Sequence, residues 1–144
     1  MSDKGIERRL CRRFKVPGAT ISYTRQKLLF SNKGFDEEFC PVLDISRGGV
    51  RFLTQKPLKF KAEVVLQISI PGERIPLSLK GHIRWSSFNP GKSYKYQAGV
   101  QFNTYGEKKD QNYPGSLVKI IALEQKFIEP DEADGSGNKS EFSI

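Results

Sequence analysis

The sequence predicts a mostly β fold of six short strands, arranged as an antiparallel barrel or sandwich and followed by one C-terminal α-helix. Three observations predict it: apolar and polar residues alternate in short runs, turn-forming residues separate these runs, and helical spacing appears only near the C-terminus. The 144 residues suffice for one domain with a real core. Short strands with hairpin-like links favour an antiparallel sheet over alternating β and α units.

The clearest strand pattern lies in the middle of the chain, where apolar residues occupy every second position. Val64, Leu66, Ile68 and Ile70 fall on one face of such a run. The next run shows the same alternation, which predicts that Trp85 faces the core. The six predicted strands span residues 19–24, 39–45, 50–53, 63–70, 77–85 and 94–102.

The C-terminal part changes from strand to helical spacing. Leu117, Ile120, Ile121 and Phe127 follow this spacing, which predicts a helix over about residues 114–128. Glu124 interrupts the apolar stripe, so we expect the helix to cap the barrel. The predicted organisation is a flexible N-terminus (1–6), one domain (7–128) with an arginine-rich loop (8–13) and a barrel (about 18–104), and a disordered acidic tail (129–144).

Composition limits the classes of function. The net charge is +8, and residues 1–30 carry a net of +6, whereas residues 107–144 carry −3. No run approaches the roughly 20 apolar residues of a membrane span, and the N-terminus lacks the apolar core of a secretory signal, which predicts a cytoplasmic protein. Two cysteines and one histidine, His82, cannot supply a closed zinc site without added carboxylates, and no catalytic triad or phosphate-binding glycine loop is apparent. We therefore predict no metal site and no enzymatic activity.

The basic residues of the N-terminus concentrate in one short run, Arg8, Arg9, Arg12 and Arg13. Arg9 and Arg13 are four positions apart, so they share a side in a helical or an extended chain. An extended chain separates them by about 13 Å, a spacing that suits a compact ligand with two phosphates. Each guanidinium can donate two parallel hydrogen bonds to a phosphate or to guanine O6 and N7. A solvated basic tail has the same composition, and both interpretations stay open.

A second candidate element is the segment Asp44-Ile45-Ser46-Arg47-Gly48-Gly49, at the end of a predicted strand. Asp44 and Ser46 project on the same face, where Asp44 can accept hydrogen bonds from guanine N1 and N2. Ser46 can bond to a phosphate or to the arginines. Gly49 allows a sharp return and a close backbone approach to a ligand. The alternative is an ordinary Asx-type hairpin turn with a glycine corner.

Three segments together resemble the PilZ domain family. Arg9 and Arg13 occupy the arginine positions of its RxxxR loop, and residues 44–49 match its [D/N]xSxxG motif. Residues 96–102, Tyr-Gln-Ala-Gly-Val-Gln-Phe, resemble its late strand. The resemblance covers about residues 7–127. It implies an all-β (mostly) fold, a six-stranded antiparallel PilZ-type β-barrel with a C-terminal α-helix packed at its mouth. It also implies binding of the bacterial second messenger cyclic di-GMP, with no further cofactor.

The resemblance also implies residue roles and partners. An arginine at the position of Arg8 favours two intercalated ligand molecules per chain. The implied protein is a receptor that acts in trans on an unidentified effector protein, as a monomer or weak dimer, and controls motility, exopolysaccharide production or adhesion. The implied ligand-binding residues are Arg8, Arg9, Arg13, Asp44, Ser46, Gly48 and Gly49, with Arg12, Arg47 and Arg84 as accessory candidates.

Two other functions stay open from the sequence. A small basic barrel with aromatics at Tyr23, Tyr94, Tyr96 and Trp85 can bind single-stranded nucleic acid. We favour this less, because its aromatics mostly alternate into the core and RNP-like runs are absent. The other alternative is a ligand-free barrel that serves only as a protein-interaction adaptor, which the intact motifs argue against.

Overall fold

The computed structural model describes residues 12–25, 34–90 and 93–128. It confirms a closed antiparallel barrel of six strands and one C-terminal helix. The predicted N-terminus (1–6) and acidic tail (129–144) lie outside the described residues. The elements are β1 (Thr20–Arg25), β2 (Glu37–Ser46), β3 (Gly49–Thr54), β4 (Glu63–Ser69), β5 (Leu77–Phe88), β6 (Tyr96–Phe102) and α1 (Pro114–Phe127). The strands neighbour one another in the order β1-β2-β3-β6-β5-β4, and β4 returns to pair with β1.

The interior of the barrel is filled by the residues that the alternation predicts. Val64, Leu66 and Ile68 on β4 are at most 1 % exposed, and the intervening residues point outward. Ala98 and Val100 on β6 are buried in the same way. One apolar face per strand therefore forms the core, as expected for a small barrel filled by side chains.

The prediction that Trp85 faces the core is wrong. The pairing of β5 with β6 shifts register between Ile83 and Trp85, because an irregularity of the β-bulge type interrupts the alternation. Ile83 is fully buried, whereas Trp85 is 37 % exposed and lies on the outer surface. His82, before the shift, is half-buried on the outward side of the strand, as its phase predicts. The shift brings the indole to the surface.

The helix α1 covers the barrel with a narrow apolar stripe. Pro114 starts it, as its fixed φ and missing N–H suit the first helical turn. Ile120 and Leu123 are buried, and the helix ends where the N–H of Ile128 donates to the carbonyl of Glu124 at 2.8 Å. No helix in the described part of the chain is long and apolar enough to span a membrane.

Glu37, at the start of β2, organises the end of the barrel away from the β2–β3 turn. Its carboxylate accepts hydrogen bonds from the hydroxyl of Tyr23 at 2.5 Å and from the thiol of Cys40 at 3.8 Å. It also accepts from the backbone N–H groups of Gln55 and Lys56. Tyr23 is fully buried, so it is not a surface aromatic of the kind that the nucleic-acid alternative requires.

Stability is expected to fall as the pH rises above about 9. Burial, with a smaller effect of Glu37, raises the pKa of Cys40 from 9.0 to about 12, and burial also raises the pKa of Tyr23. Between the unfolded and folded pKa values the native state binds the proton more tightly, so stabilisation that is complete below pH 9 is lost with increasing pH. Urea unfolding at pH 7 to 10.5 measures this loss. Cys40→Ala should reduce the slope of the free energy of unfolding against pH in this range. An unchanged slope would contradict the role of the thiol.

Candidate functional site

Arg13 is placed by a short pairing of the chain before β1 with the end of β2. Phe14 and Ile45 form an isolated antiparallel bridge, in which each backbone N–H donates to the other's carbonyl at 2.9 Å. Both side chains are buried in the core. The residue before each of them, Arg13 and Asp44, therefore lies on the outer side of the barrel, and these two side chains meet.

Asp44 is the most tightly bonded carboxylate of the site. Its side chain is 6 % exposed and accepts from Nη1 of Arg13 at 3.0 Å. Nε of Arg51, on β3 directly opposite, donates to both carboxylate oxygens at 3.0 Å, and its Nη2 also bonds Oδ2. The hydrogen bonds to Asp44 raise the pKa of Arg51 above its ordinary value. Arg13 remains 54 % exposed and uses one of its five N–H donors on Asp44, so others can reach a ligand.

The turn between β2 and β3 is closed by its own serine. Ser46 Oγ donates to the carbonyl of Gly49 at 3.4 Å and accepts from the N–H of Gly48 at 3.3 Å. Gly49 is required for close packing, because a Cβ there would lie 2.3 Å from the carbonyl oxygen of Val100 on β6. The close approach that the sequence predicts for Gly49 is thus made in the structure by a neighbouring strand.

A groove of about 460 Å³ opens beside this turn. Its walls include Arg13, Ser46 and two residues of β5, Arg84 and Trp85. Nη1 of Arg84 donates to Oε1 of Gln101, which also lines the groove. Its volume lies within the range of small-molecule sites. Two cations and one indole therefore face a common space.

The indole of Trp85 packs against the backbone of Gly99, because a residue without a side chain leaves room for it. Gly99 pairs with Trp85 on one side and with Arg51 on the other. A Cβ at residue 99 would lie 2.4 Å from Nε1 of the indole. The glycine thus fixes the ring on the outer face, in the cross-strand row that ends in Asp44.

The structure brings together some of the predicted site residues. Five of them line the groove: Arg13, Ser46, Gly48, Gly49 and Arg84. Asp44 does not line it but accepts a hydrogen bond from Arg13. Arg8 and Arg9 lie outside the described residues, and Arg12 is half-buried and does not line the groove.

Sequence reasoning missed two contributors to the site. The sequence pattern shows Arg51 only as an outward-facing strand residue. Its position opposite Asp44 follows from the register of the hairpin, in which Ser46 pairs with Gly49 across the turn. Trp85 was hidden by the shift in β5. Within residues 12–25, 34–90 and 93–128, no three His, Cys, Asp or Glu side chains are grouped as a metal site would require.

Arg47, at the tip of the turn, is directed to the helix. Its Nε donates to Oε1 of Glu124 at 2.9 Å, and the hydroxyl of Tyr105 donates to its carbonyl at 2.8 Å. The Glu124 side chain is only 10 % exposed. The residue that interrupts the apolar stripe of α1 therefore connects the helix to the turn beside the groove.

Glu124→Ala is expected to lower the free energy of unfolding by about 1.5–3 kcal/mol, because a largely buried, charge-assisted hydrogen bond is lost. Urea denaturation followed by circular dichroism measures the change. Gln125→Ala, at the next and exposed position of α1, is the matched control and should stay within about 0.5 kcal/mol of wild type. Equal effects of the two substitutions would contradict a structural role for the pair.

Among the solved structures that are similar to this chain is that of the Bacillus subtilis inhibitor of motility, MotI/DgrA. The TM-score is 0.51 at 19 % sequence identity, and the match covers 83 % of this chain and 52 % of that chain. This chain thus spans about half of the length of MotI/DgrA, and the similarity is one of fold. No curated protein sequence matches the chain.

The family comparison is more direct. The model of the PilZ domain matches residues 7–118. This range begins before the arginine run, includes the whole barrel and ends within α1, so it contains every residue that lines the groove. It covers well over half of the sequence, and it confirms the resemblance carried by the arginine loop, the turn and the late strand. The chain belongs to the PilZ domain family, a family of cyclic di-GMP receptors.

Proposed function

We propose that the protein binds cyclic di-GMP in the groove beside the β2–β3 turn and acts in trans as a signalling receptor. The observation that carries the proposal is the meeting of Arg13, Arg84 and Trp85 around that turn, with Arg13 held by Asp44. Cyclic di-GMP offers two phosphates and two guanines. The groove offers guanidinium donors and a flat aromatic face, which are the groups that bind them.

Each side chain has a distinct task in this proposal. Arg13 donates to a phosphate or to guanine O6 and N7, and Asp44 and Arg51 limit its freedom before the ligand arrives. Arg84 adds positive charge on the opposite wall. Trp85 gives a stacking surface for a base, a contact that contributes about 1–3 kcal/mol per base. Arg8 and Arg9 are proposed to complete the phosphate contacts from the N-terminal side.

The proposed activity is binding in the cytoplasm, without catalysis, and its output passes through an effector protein. MotI/DgrA, which shares the fold, is described as an inhibitor of motility. That description supports motility as the first process to examine, ahead of exopolysaccharide production and adhesion.

Isothermal titration calorimetry with cyclic di-GMP tests the proposal. Trp85 is the only tryptophan of the chain, so quenching of its fluorescence reports on the groove itself. Single-stranded DNA serves as the competitor for the nucleic-acid alternative, and its binding should fall steeply with salt. Saturable heat and quenching with cyclic di-GMP are expected. The absence of both signals at high micromolar cyclic di-GMP would contradict the proposal. Binding of single-stranded DNA without any binding of cyclic di-GMP would contradict it as well.

The wild type is expected to bind two cyclic di-GMP molecules per chain, and Arg8→Leu nearer to one. An intercalated pair carries twice the negative charge of one ligand, and an additional arginine offsets the repulsion between its phosphates. The calorimetric endpoint measures the stoichiometry. Lys15→Leu, a nearby exposed cation outside the motif, is the control and should retain two ligands. A wild-type endpoint of one would contradict the role of Arg8.

A further inference from the structure

An apolar groove runs along α1 on the side that faces the connection between β4 and β5. Two adjoining cavities, of about 220 and 300 Å³, form it, and both are lined by Ile75, Leu77 and Lys119. Leu123 and Phe127 extend the first cavity toward the end of the helix. We call this surface the helix groove. It is separate from the basic groove beside the β2–β3 turn, with which it shares no lining residue.

The helix groove combines apolar walls with two lysines and one carboxylate, that of Glu73 in the first cavity, so its lining carries a net positive charge. Ile75 is 72 % exposed and Tyr113, in the second cavity, is 74 % exposed, so two large apolar side chains of the groove are exposed next to each other. Lys119 and Lys126 line the groove, and neither forms an ion pair within the described part of the chain. The only acidic residue of α1 is Glu124, which is buried against Arg47. The outward face of the helix is therefore basic and apolar.

The sequence that follows α1 has the complementary composition. Residues 129–144 contain five acidic residues and one lysine, a net of −4. Their first acidic residues come directly after Phe127 and Ile128, and Phe127 itself lines the helix groove. Two apolar residues, Phe142 and Ile144, stand near the end of this segment. The net negative charge of the segment is thus opposite to that of the lysines of the groove, and its two apolar residues suit the apolar walls.

The length of the segment also matches the groove. The 14 residues of α1 span about 21 Å at about 1.5 Å per residue. Phe142 lies 14 residues beyond Ile128, and a flexible chain of that length has a root-mean-square span of roughly 21 Å at about 5–6 Å × √n. Phe142 can therefore reach the second cavity, which Tyr113 and Gly115 line at the start of the helix.

We propose that residues 129–144 dock in the helix groove of their own chain. The acidic residues that follow Ile128 face Lys126 and Lys119, and Phe142 enters the second cavity. The sequence of this segment contains few apolar residues, a composition that favours docking on an existing surface over a core of its own. Covalent attachment gives it a millimolar effective concentration at the groove, so weak contacts suffice. A partner that uses this face of α1 must displace it.

Paramagnetic relaxation in the full-length protein tests the docking. A nitroxide is attached to Ser143→Cys in a Cys11→Ser background, where Cys40 is 1 % exposed and protected from labelling. The backbone amides of Ile75 and Lys119 should broaden selectively at 0.1 M salt. The broadening should fall at 1 M salt, because the screening length shortens from about 10 Å to about 3 Å.

Charge reversal provides the matched variants. Lys119→Glu combined with Lys126→Glu should reduce the broadening by about threefold or more, because two exposed ion pairs are lost. Adding Asp131→Lys and Asp134→Lys should restore it. Lys59→Glu combined with Lys95→Glu, at exposed positions elsewhere on the barrel, should leave it unchanged.

Three results would overturn the proposal. The first is uniform or absent broadening, and the second is equal broadening in the two doubly substituted lysine variants. The third is broadening of an isotope-labelled copy by the nitroxide of another copy in a mixed sample. The last result would make a second copy of the chain the occupant. None of these outcomes depends on cyclic di-GMP, so the test is independent of the proposed function.

Discussion

Arg13→Ala is expected to weaken cyclic di-GMP binding by about 1.5–3 kcal/mol, a loss of roughly 10- to 150-fold in affinity. The substitution removes a guanidinium that is half-exposed to the groove and already held at 3.0 Å by Asp44. Charge-assisted hydrogen bonds to a phosphate or a guanine are lost with it. Calorimetry under the conditions used for the wild type measures the change.

The control for this substitution is Arg25→Ala. Arg25 is also a partly exposed arginine that is paired with an aspartate, Asp36, at 3.2 Å, but it does not line the groove. It should therefore leave the affinity within about twofold of wild type, because a remote charge is screened. An equal loss in both variants would show that net charge, and not the position of Arg13, determines binding.

Gly49→Ala is expected to have the largest effect on stability among substitutions in the turn. The new Cβ would lie 2.3 Å from the carbonyl oxygen of Val100, a backbone atom of β6 that cannot move without disturbing the ladder. Overpacking of this kind lowers the free energy of unfolding by about 1–3 kcal/mol or more. Because Ser46 bonds the carbonyl of Gly49, the turn should shift and ligand affinity should fall as well. Urea unfolding and calorimetry measure the two effects.

Gly48→Ala is the matched stability control, one residue away. A Cβ at residue 48 meets nothing within 4 Å, and the backbone there is not in the left-handed region. The free energy of unfolding should therefore stay within about 0.5 kcal/mol of wild type. Comparable destabilisation by both substitutions would show that the contact with β6 is not the cause.

Most of the barrel could be predicted because its strands are half-buried. A side chain such as that of Leu66 faces the core and has to be apolar, whereas its two neighbours face outward and do not. The sequence of such a strand therefore alternates between apolar and polar residues. The position of Trp85 could not be predicted in this way. A single shifted pair between Ile83 and Trp85 reverses the phase, and no glycine or proline stands at that point to signal it.

The candidate site was predicted less completely than the fold. Asp44, Ser46 and Gly49 are close in sequence, so their relation is set by one turn and is readable as a motif. Arg51 bonds Asp44 because β3 returns antiparallel to β2, and Glu124 bonds Arg47 across 77 positions. Such contacts depend on the path of the whole chain, and residue types alone do not reveal them.

The closure of the barrel restricts how any effector can recognise this protein. Because β1 pairs with both β2 and β4, each of the six strands has a neighbouring strand on both sides, and the described barrel has no edge strand. Strand addition, the mode in which an extended peptide continues a sheet through its main chain, is therefore disfavoured at this barrel. Recognition by side chains on the outer faces, the turns and the helix is favoured instead. Without an open ladder, edge-to-edge aggregation is also disfavoured at high protein concentration.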